Sequence, residues 1–268
     1  MDNIDTRFRD TAVASGGLLT WPTALALGGY LGTSRATVGR LLGRLCGANM
    51  LRRVTISGTH SDAWLTTPLA AETFGGKPAT RFLGRRPAAT WTPGQTFRHD
   101  QLALLATWSV AVRPMDEVGN TAATEAEIEK QFTDTAGRHI PDGAFIYRVG
   151  GAESCVAVEV ELSKKSGSQN GKNTTSWARS LAPSILDRQE GRGMYIQVLN
   201  RTIDATLLVA PEALARQIVG AVRRAAEERD CEPGRVWWAE PAQNALGLAP
   251  IHIWMQTLDA PTPIPPSP

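Results

Sequence analysis

The sequence predicts a mixed α/β (α+β) protein in two units. The first holds helices and a β-hairpin; the second is a larger mixed sheet flanked by helices. Three observations carry that prediction. Val38, Leu41, Leu42 and Leu45 recur at i, i+3, i+4 and i+7, a helical stripe that precedes two short strand-like runs. A stretch rich in Gly, Pro, Thr and Arg, roughly 75–96, then breaks all periodicity. Beyond it, short apolar runs of strand composition are interleaved with longer helical patterns.

Taken in order, the first unit (1–74) has a short helix from Pro22 to Tyr30, opening at Trp21-Pro22 with proline at an allowed first-turn position. Gly28, Gly29 and Gly32 break the chain, and Thr33 or Ser34 caps a second helix that runs to about Leu45. Its outer face carries Arg35, Ala36, Gly39, Arg40, Gly43 and Arg44. Strands follow at Leu51–Ile56 and Ala63–Thr66, joined by a turn at Ser57-Gly58-Thr59-His60.

The second unit (97–258) opens with an apolar helix over His99–Val112, and Thr124 is a cap for the ambiguous stretch that follows it. Strands are expected at Gly143–Val149 and Cys155–Leu162, with Gly150-Gly151 between them. A polar loop at Lys164–Thr175 leads to a helix over 176–189, strands at Met194–Leu199 and Ala205–Val209, a strong helix over Pro211–Arg229, and a strand at Arg235–Ala239. The Pro-rich tail, 259–268, is expected to be disordered or extended.

Composition narrows the function classes. No apolar run approaches the roughly 20 residues a membrane helix needs. The acidic start Met1-Asp2-Asn3-Ile4-Asp5 is unlike a secretory signal. Cys46, Cys155 and Cys231 are odd in number and widely spaced, so free thiols in a reducing cytoplasm are expected. The four histidines show no metal-ligand spacing. Charge is unevenly spread: residues 1–98 carry 12 Lys and Arg against 5 Asp and Glu, the remainder 16 against 21. A basic first unit beside an acidic second one suits a polyanion-binding module joined to something else.

Helix, tight turn, helix and hairpin form the order of a winged helix-turn-helix, and residues 34–53 with the run Ala63–Ala70 resemble its recognition helix and wing. Small residues at 36, 39 and 43 would let the helix approach a groove closely. In double-stranded DNA, Arg35, Thr37 and Arg40 would reach bases. Ser34, Arg44, Arg52 and Arg53 would hold phosphates, and His60 would sit at the wing tip. The alternative is an amphipathic helix with a solvated arginine face.

The run Val156-Ala157-Val158-Glu159-Val160-Glu161-Leu162-Ser163-Lys164-Lys165 packs acids into an apolar strand after Pro141-Asp142. A period of two places Glu159, Glu161 and Ser163 on one face and Val158, Val160 and Leu162 on the other. Adjacent carboxylates repel, and a hard divalent ion such as Mg²⁺ (or Mn²⁺ in its place) would offset that cost at Asp142, Glu159 and Glu161. The bland reading is a half-exposed strand paired with Lys164 or Lys165.

The order of elements around this run is that of a PD-(D/E)xK, restriction-endonuclease-like core. The third motif position is Glu161 instead of Lys, with Lys164 and Lys165 placed to supply the cation. Over most of residues 20–200 the chain resembles the replication-relaxation family of plasmids, phages and integrative elements. The resemblance runs through His99-Asp100-Gln101-Leu102-Ala103, Thr124-Glu125-Ala126-Glu127-Ile128, His139-Ile140-Pro141-Asp142 and Val158–Ser166. It implies DNA binding in replication, relaxation or mobilisation. It also adds Glu125 to Asp142, Glu159 and Glu161 as metal ligands, and points to Asp142, Glu159, Glu161, Lys164 and Lys165 as the catalytic set of an endonuclease.

Two functions follow: a Mg²⁺-dependent DNA endonuclease, or a non-enzymatic repressor or replication-accessory factor whose second unit dimerises or recruits replication or mobilisation proteins. A repressor with a small-molecule sensor is a third, disfavoured by the polar cluster.

Overall fold

The computed structural model describes residues 3–14, 18–56, 61–74, 90–91, 95–111, 120–132, 139–149, 152–162, 174–233, 236–241, 254–257 and 260–263. Together they form a mixed α/β protein.

The first unit begins with a helix the sequence reading did not anticipate, α1 (Asn3–Ala14), which buries Phe8 and Ala12. Strand β1 (Leu18–Thr20) leads into α2 (Trp21–Tyr30) and α3 (Arg35–Gly47). A hairpin of β2 (Leu51–Ile56) and β3 (Ser61–Thr66) follows, then α4 (Pro68–Phe74). The caps explain the boundaries. Thr20 and Thr23 form a reciprocal capping box on α2, with Pro22 in its first turn, and Ser34 Oγ accepts from the Thr37 N–H to start α3. The predicted stripe points inward: Val38, Leu41 and Leu42 are buried and Leu45 is half-buried. Where α2 meets α3, a Cβ on Gly28 would stand 2.3 Å from Val38 Cγ2, so only glycine fits. The sheet order is β1-β3-β2-β4, with β1 closing onto β3.

The stretch 75–96 is not bare connector throughout. Thr90–Trp91 form β4, parallel to β2, and α5 (Gln95–Val110) already starts at Gln95.

The second unit is a sheet of order β13-β12-β11-β10-β7-β6-β5. Strands β5 (Ala122–Thr124), β6 (Gly143–Val149) and β7 (Ala152–Val160) form an antiparallel meander, with the short helix α6 (Glu125–Glu129) after β5. Helix α7 (Thr174–Asp187) continues into a kinked turn, Arg188–Arg192, in which Glu190 and the left-handed Gly191 depart from helical geometry. Strand β10 (Ala205–Val209) then returns parallel to β7. Helix α8 (Glu212–Arg229) and β11 (Val236–Ala239), parallel to β10, complete the core. One face of the sheet (Phe145, Tyr147, Val156, Val158, Leu207, Val209) lies against α5; on the other, Leu208, Ala210 and Val236 lie against α7 and α8.

One expectation needs correction, and another, a disordered or extended tail, holds in its extended form at 260–263. Met194–Leu199 is not one strand: β8 (Tyr195–Ile196) pairs with β9 (Arg201–Thr202) across a 3₁₀ turn at Gln197–Leu199, which the left-handed Asn200 ends. The Pro-rich tail contributes β13 (Ala260–Pro263), antiparallel to β12 (Trp254–Thr257) at the sheet edge. Proline is tolerated there because an edge strand leaves one row of N–H groups unpaired.

The two units share one apolar cluster. Buried Gln101 of α5 reaches the start of α2, where its Oε1 accepts from the Thr20 N–H at 3.0 Å and the Thr23 hydroxyl at 2.9 Å. At the far end of α2, Tyr30 Oη accepts from the Thr121 N–H at 3.1 Å.

Candidate functional sites

The outer face of α3 is the first candidate. Arg35, Ala36, Gly39, Arg40, Gly43 and Arg44 are all exposed, and a Cβ on Gly43 would meet nothing within 4 Å. The three arginines are held differently. The Arg35 guanidinium lies over the Trp21 ring, 5.5 Å from its centroid. Arg40 donates to Thr37 Oγ1 at 2.9 Å. Arg44 forms a two-pronged ion pair with Asp5 of α1, at 2.8 and 3.1 Å. Ser34 is engaged as the helix cap, Arg52 is exposed, and Arg53 pairs with Asp62 across the hairpin. His60 lies outside the described residues.

The second candidate is the end of the sheet where β7 stops. Asp142, just before β6, sends its N–H to Val158 O at 3.0 Å, and its Oδ2 accepts from the Val160 N–H at 2.7 Å. The same oxygen stands 3.3 Å from His99 Nε2 of α5, and Asp100 Oδ1 stands 3.4 Å from His99 Nδ1. Burial opposes charging of this imidazole, yet hydrogen bonds to Asp100 and Asp142 outweigh it and push His99 up to about 10. Glu125, in the first turn of α6, is raised to about 7 by burial and by the neighbouring Asp142, Glu129 and Asp100 charges.

Glu159 is held on the opposite face. Its register partner on β10 is Leu208, which lies against α7 and α8. β7 has a hydrogen-bonded neighbour on each side and cover on both faces, so Val156 to Val160 are all buried and Glu159 is only 3% exposed. The half-exposed paired strand is therefore corrected for this residue. Glu159 Oε1 faces Arg188 at 2.5 Å and Oε2 faces His139 Nε2 at 2.9 Å. Burial alone would raise the Glu159 carboxyl, but Arg188 and His139 reverse that and hold it below its usual range. His139 is raised in turn, chiefly by its hydrogen bond to Glu159. Arg188, itself buried, also donates to Thr206 Oγ1 at 3.3 Å.

Of the predicted set, the fold brings Glu125 and Asp142 together. Glu159 sits at the same sheet end with both carboxylate oxygens facing cations. Glu161 follows the last residue of β7, where its N–H donates to Val209 O at 2.8 Å. Lys164 and Lys165 lie outside the described residues. Among the described residues, no group of three or more His, Cys, Asp or Glu side chains is arranged to hold a metal ion. Sequence reasoning passed over His99, Asp100, His139 and Arg188. The runs His99-Asp100 and His139-Ile140-Pro141-Asp142 carried a signal for the first three; Arg188 had none.

No described helix is long and apolar enough to cross a membrane, and all three cysteines are free. No protein-family model, curated protein or solved structure matches this chain.

Proposed function

We propose that the chain is a double-stranded-DNA-binding protein that docks α3 in the major groove. The observation that carries this reading is the exposed face of α3, three arginines separated by Ala36, Gly39 and Gly43. That pattern combines close approach with donors for phosphates and base edges. Two further features support it: the basic balance of the first unit, and an order of helices and hairpin, with β1 returning onto β3, that suits a winged helix-turn-helix. The order α5-β5-β6-β7-α7-β10 suits a PD-(D/E)xK core in the same way. Together with the resemblance to the replication-relaxation family, this supports our reading of a cytoplasmic role in replication, relaxation or mobilisation of a mobile element. It would act with replication or mobilisation proteins, or as a homodimer.

Two readings of the second unit remain in play. In the hydrolytic one, Mg²⁺ would sit against Asp142 and Glu125, whose mutual repulsion it would relieve, and would supply Lewis-acid polarisation of a phosphate. The ion pairs on Glu159 favour the other reading, a nuclease-like unit that binds or recruits without cleaving. The residues around Glu159 do not offer it to a metal unless Arg188 and His139 let go. The test is incubation of supercoiled DNA carrying the native locus with Mg²⁺ or Mn²⁺, comparing the unaltered protein with Asp142→Ala and Glu159→Gln. Cleavage lost in both variants establishes the hydrolase. Equal cleavage by all three, or none on DNA that the protein demonstrably binds, removes it. Unchanged DNA affinity in Arg40→Ala plus Arg44→Ala would remove the α3 assignment.

A further inference from the structure

We propose that Trp21 and Arg35 form a guanine-reading element in which Trp21 is the positioning residue. This rests on the reading of α3 as the DNA-docking helix. Arg35 is the first residue of α3, directly after the Ser34 cap, and the early residues of a recognition helix are those that approach base edges. Its guanidinium carbon lies over the Trp21 ring, 5.5 Å from the centroid and within cation–π range.

That ring is itself fixed. It packs at 5.9 Å and 44° against Trp64, which is buried, and it closes against α3 where a Cβ on Gly39 would lie 3.9 Å from Trp21 Cη2. A cation–π contact engages the charge of the guanidinium and consumes none of its N–H donors. Among the described residues no side chain accepts from Arg35, whereas Arg40 donates to Thr37 and Arg44 is forked onto Asp5. Arg35 is thus the α3 arginine that is held in place while its donors stay unspent. A rigid fork of two donors matches the O6 and N7 acceptors of guanine in the major groove, and no other base offers that pair. Holding the fork before contact removes the ordering cost that a freely rotating arginine meets on binding.

The experiment selects bound duplexes from a randomised double-stranded pool with the unaltered full chain, Arg35→Lys, Trp21→Leu and Trp21→Phe. Circular dichroism and thermal melting verify each fold. The unaltered protein is expected to enrich a site containing a fixed guanine. Arg35→Lys and Trp21→Leu should both lose about tenfold or more of the preference at that one base pair while keeping it elsewhere in the site. Trp21→Phe, which keeps a ring under the guanidinium, should retain most of it. The proposal is overturned if Trp21→Leu weakens binding evenly with base preference intact. It is also overturned if Arg35→Lys relaxes a position that Trp21→Leu does not. Absence of any duplex binding by the unaltered protein would instead remove the DNA-binding reading beneath it. Should Trp21→Leu fail to fold, Trp21→Met takes its place: loss of preference at the guanine that Arg35→Lys relaxes upholds the element, and preference kept there overturns it.

Discussion

Substituting Arg188→Met leaves the buried Glu159 carboxylate facing His139 alone, in a place where an unpaired charge is poorly solvated. Breaking such a pair costs about 3–5 kcal/mol, whereas replacing both partners with apolar residues is often far milder. The expected outcome in urea unfolding is a large loss for Arg188→Met and a smaller one for Arg188→Met combined with Glu159→Leu. The acid cluster on the other face makes stability depend on pH. Glu125 is raised from 4.5 to about 7, so the folded state holds a proton that the unfolded state has released, and stability falls as pH rises through that window. His99, raised from 6.5 to about 10, contributes stability that is complete below 6.5 and lost as pH climbs towards 10. Glu125→Gln should flatten the lower window and stabilise the protein above pH 7 in denaturant titrations run across pH. The carboxylates themselves were legible in the sequence, since acids inside a valine run are conspicuous. Their partners were not. Arg188 belongs to a helical turn distant along the chain, and a helix pattern does not tell which strand residue its end will meet.

Among the elements, α2 and α3 were readable because local chemistry marks their limits: Pro22 in a first turn, a serine cap, and an apolar stripe of helical period. Helix α1 was not, because its buried contribution comes from little more than Phe8 and Ala12 among polar neighbours. Strand β7 was placed and its alternation holds, with Val158 and Val160 on the α5 face and Glu159 on the other, but a half-exposed strand presumes one solvated side and this strand is covered on both. Two glycines separate packing from docking. Gly28→Ala should clash with Val38 and destabilise by about 1–3 kcal/mol. Gly43→Ala meets open space and should stabilise the helix by about 0.5–1 kcal/mol. In the DNA-binding reading the same Gly43→Ala change weakens affinity, because the added methyl holds α3 off the groove. Thermal melting and duplex binding measured on both variants check this opposition.

At the scale of the whole molecule, a change of composition and charge lies between the stretches that form the four-stranded and the seven-stranded sheet, but nothing in the sequence announced how the two pack together. Gln101 gave no warning, because a glutamine on a helix normally faces water and here it is 4% exposed beneath α2. Gln101→Leu removes one acceptor from the Thr20 N–H and the Thr23 hydroxyl, which keep their capping-box bonds to each other, so the loss is that of the inter-unit hydrogen bonds, about 0.5–1.5 kcal/mol each. The expected calorimetric result is that one cooperative unfolding event in the unaltered protein becomes two.

The fastening of α2 at both of its ends, by Gln101 and by Thr121, also bears on how two copies would share one stretch of DNA. In the DNA-binding reading, α3 packs on this doubly tied α2, so paired copies could not flex to follow sites that are shifted apart. Adding half a turn of duplex between two such sites rotates one to the opposite side of the helix, and joint occupancy should collapse there and return when a full turn is added.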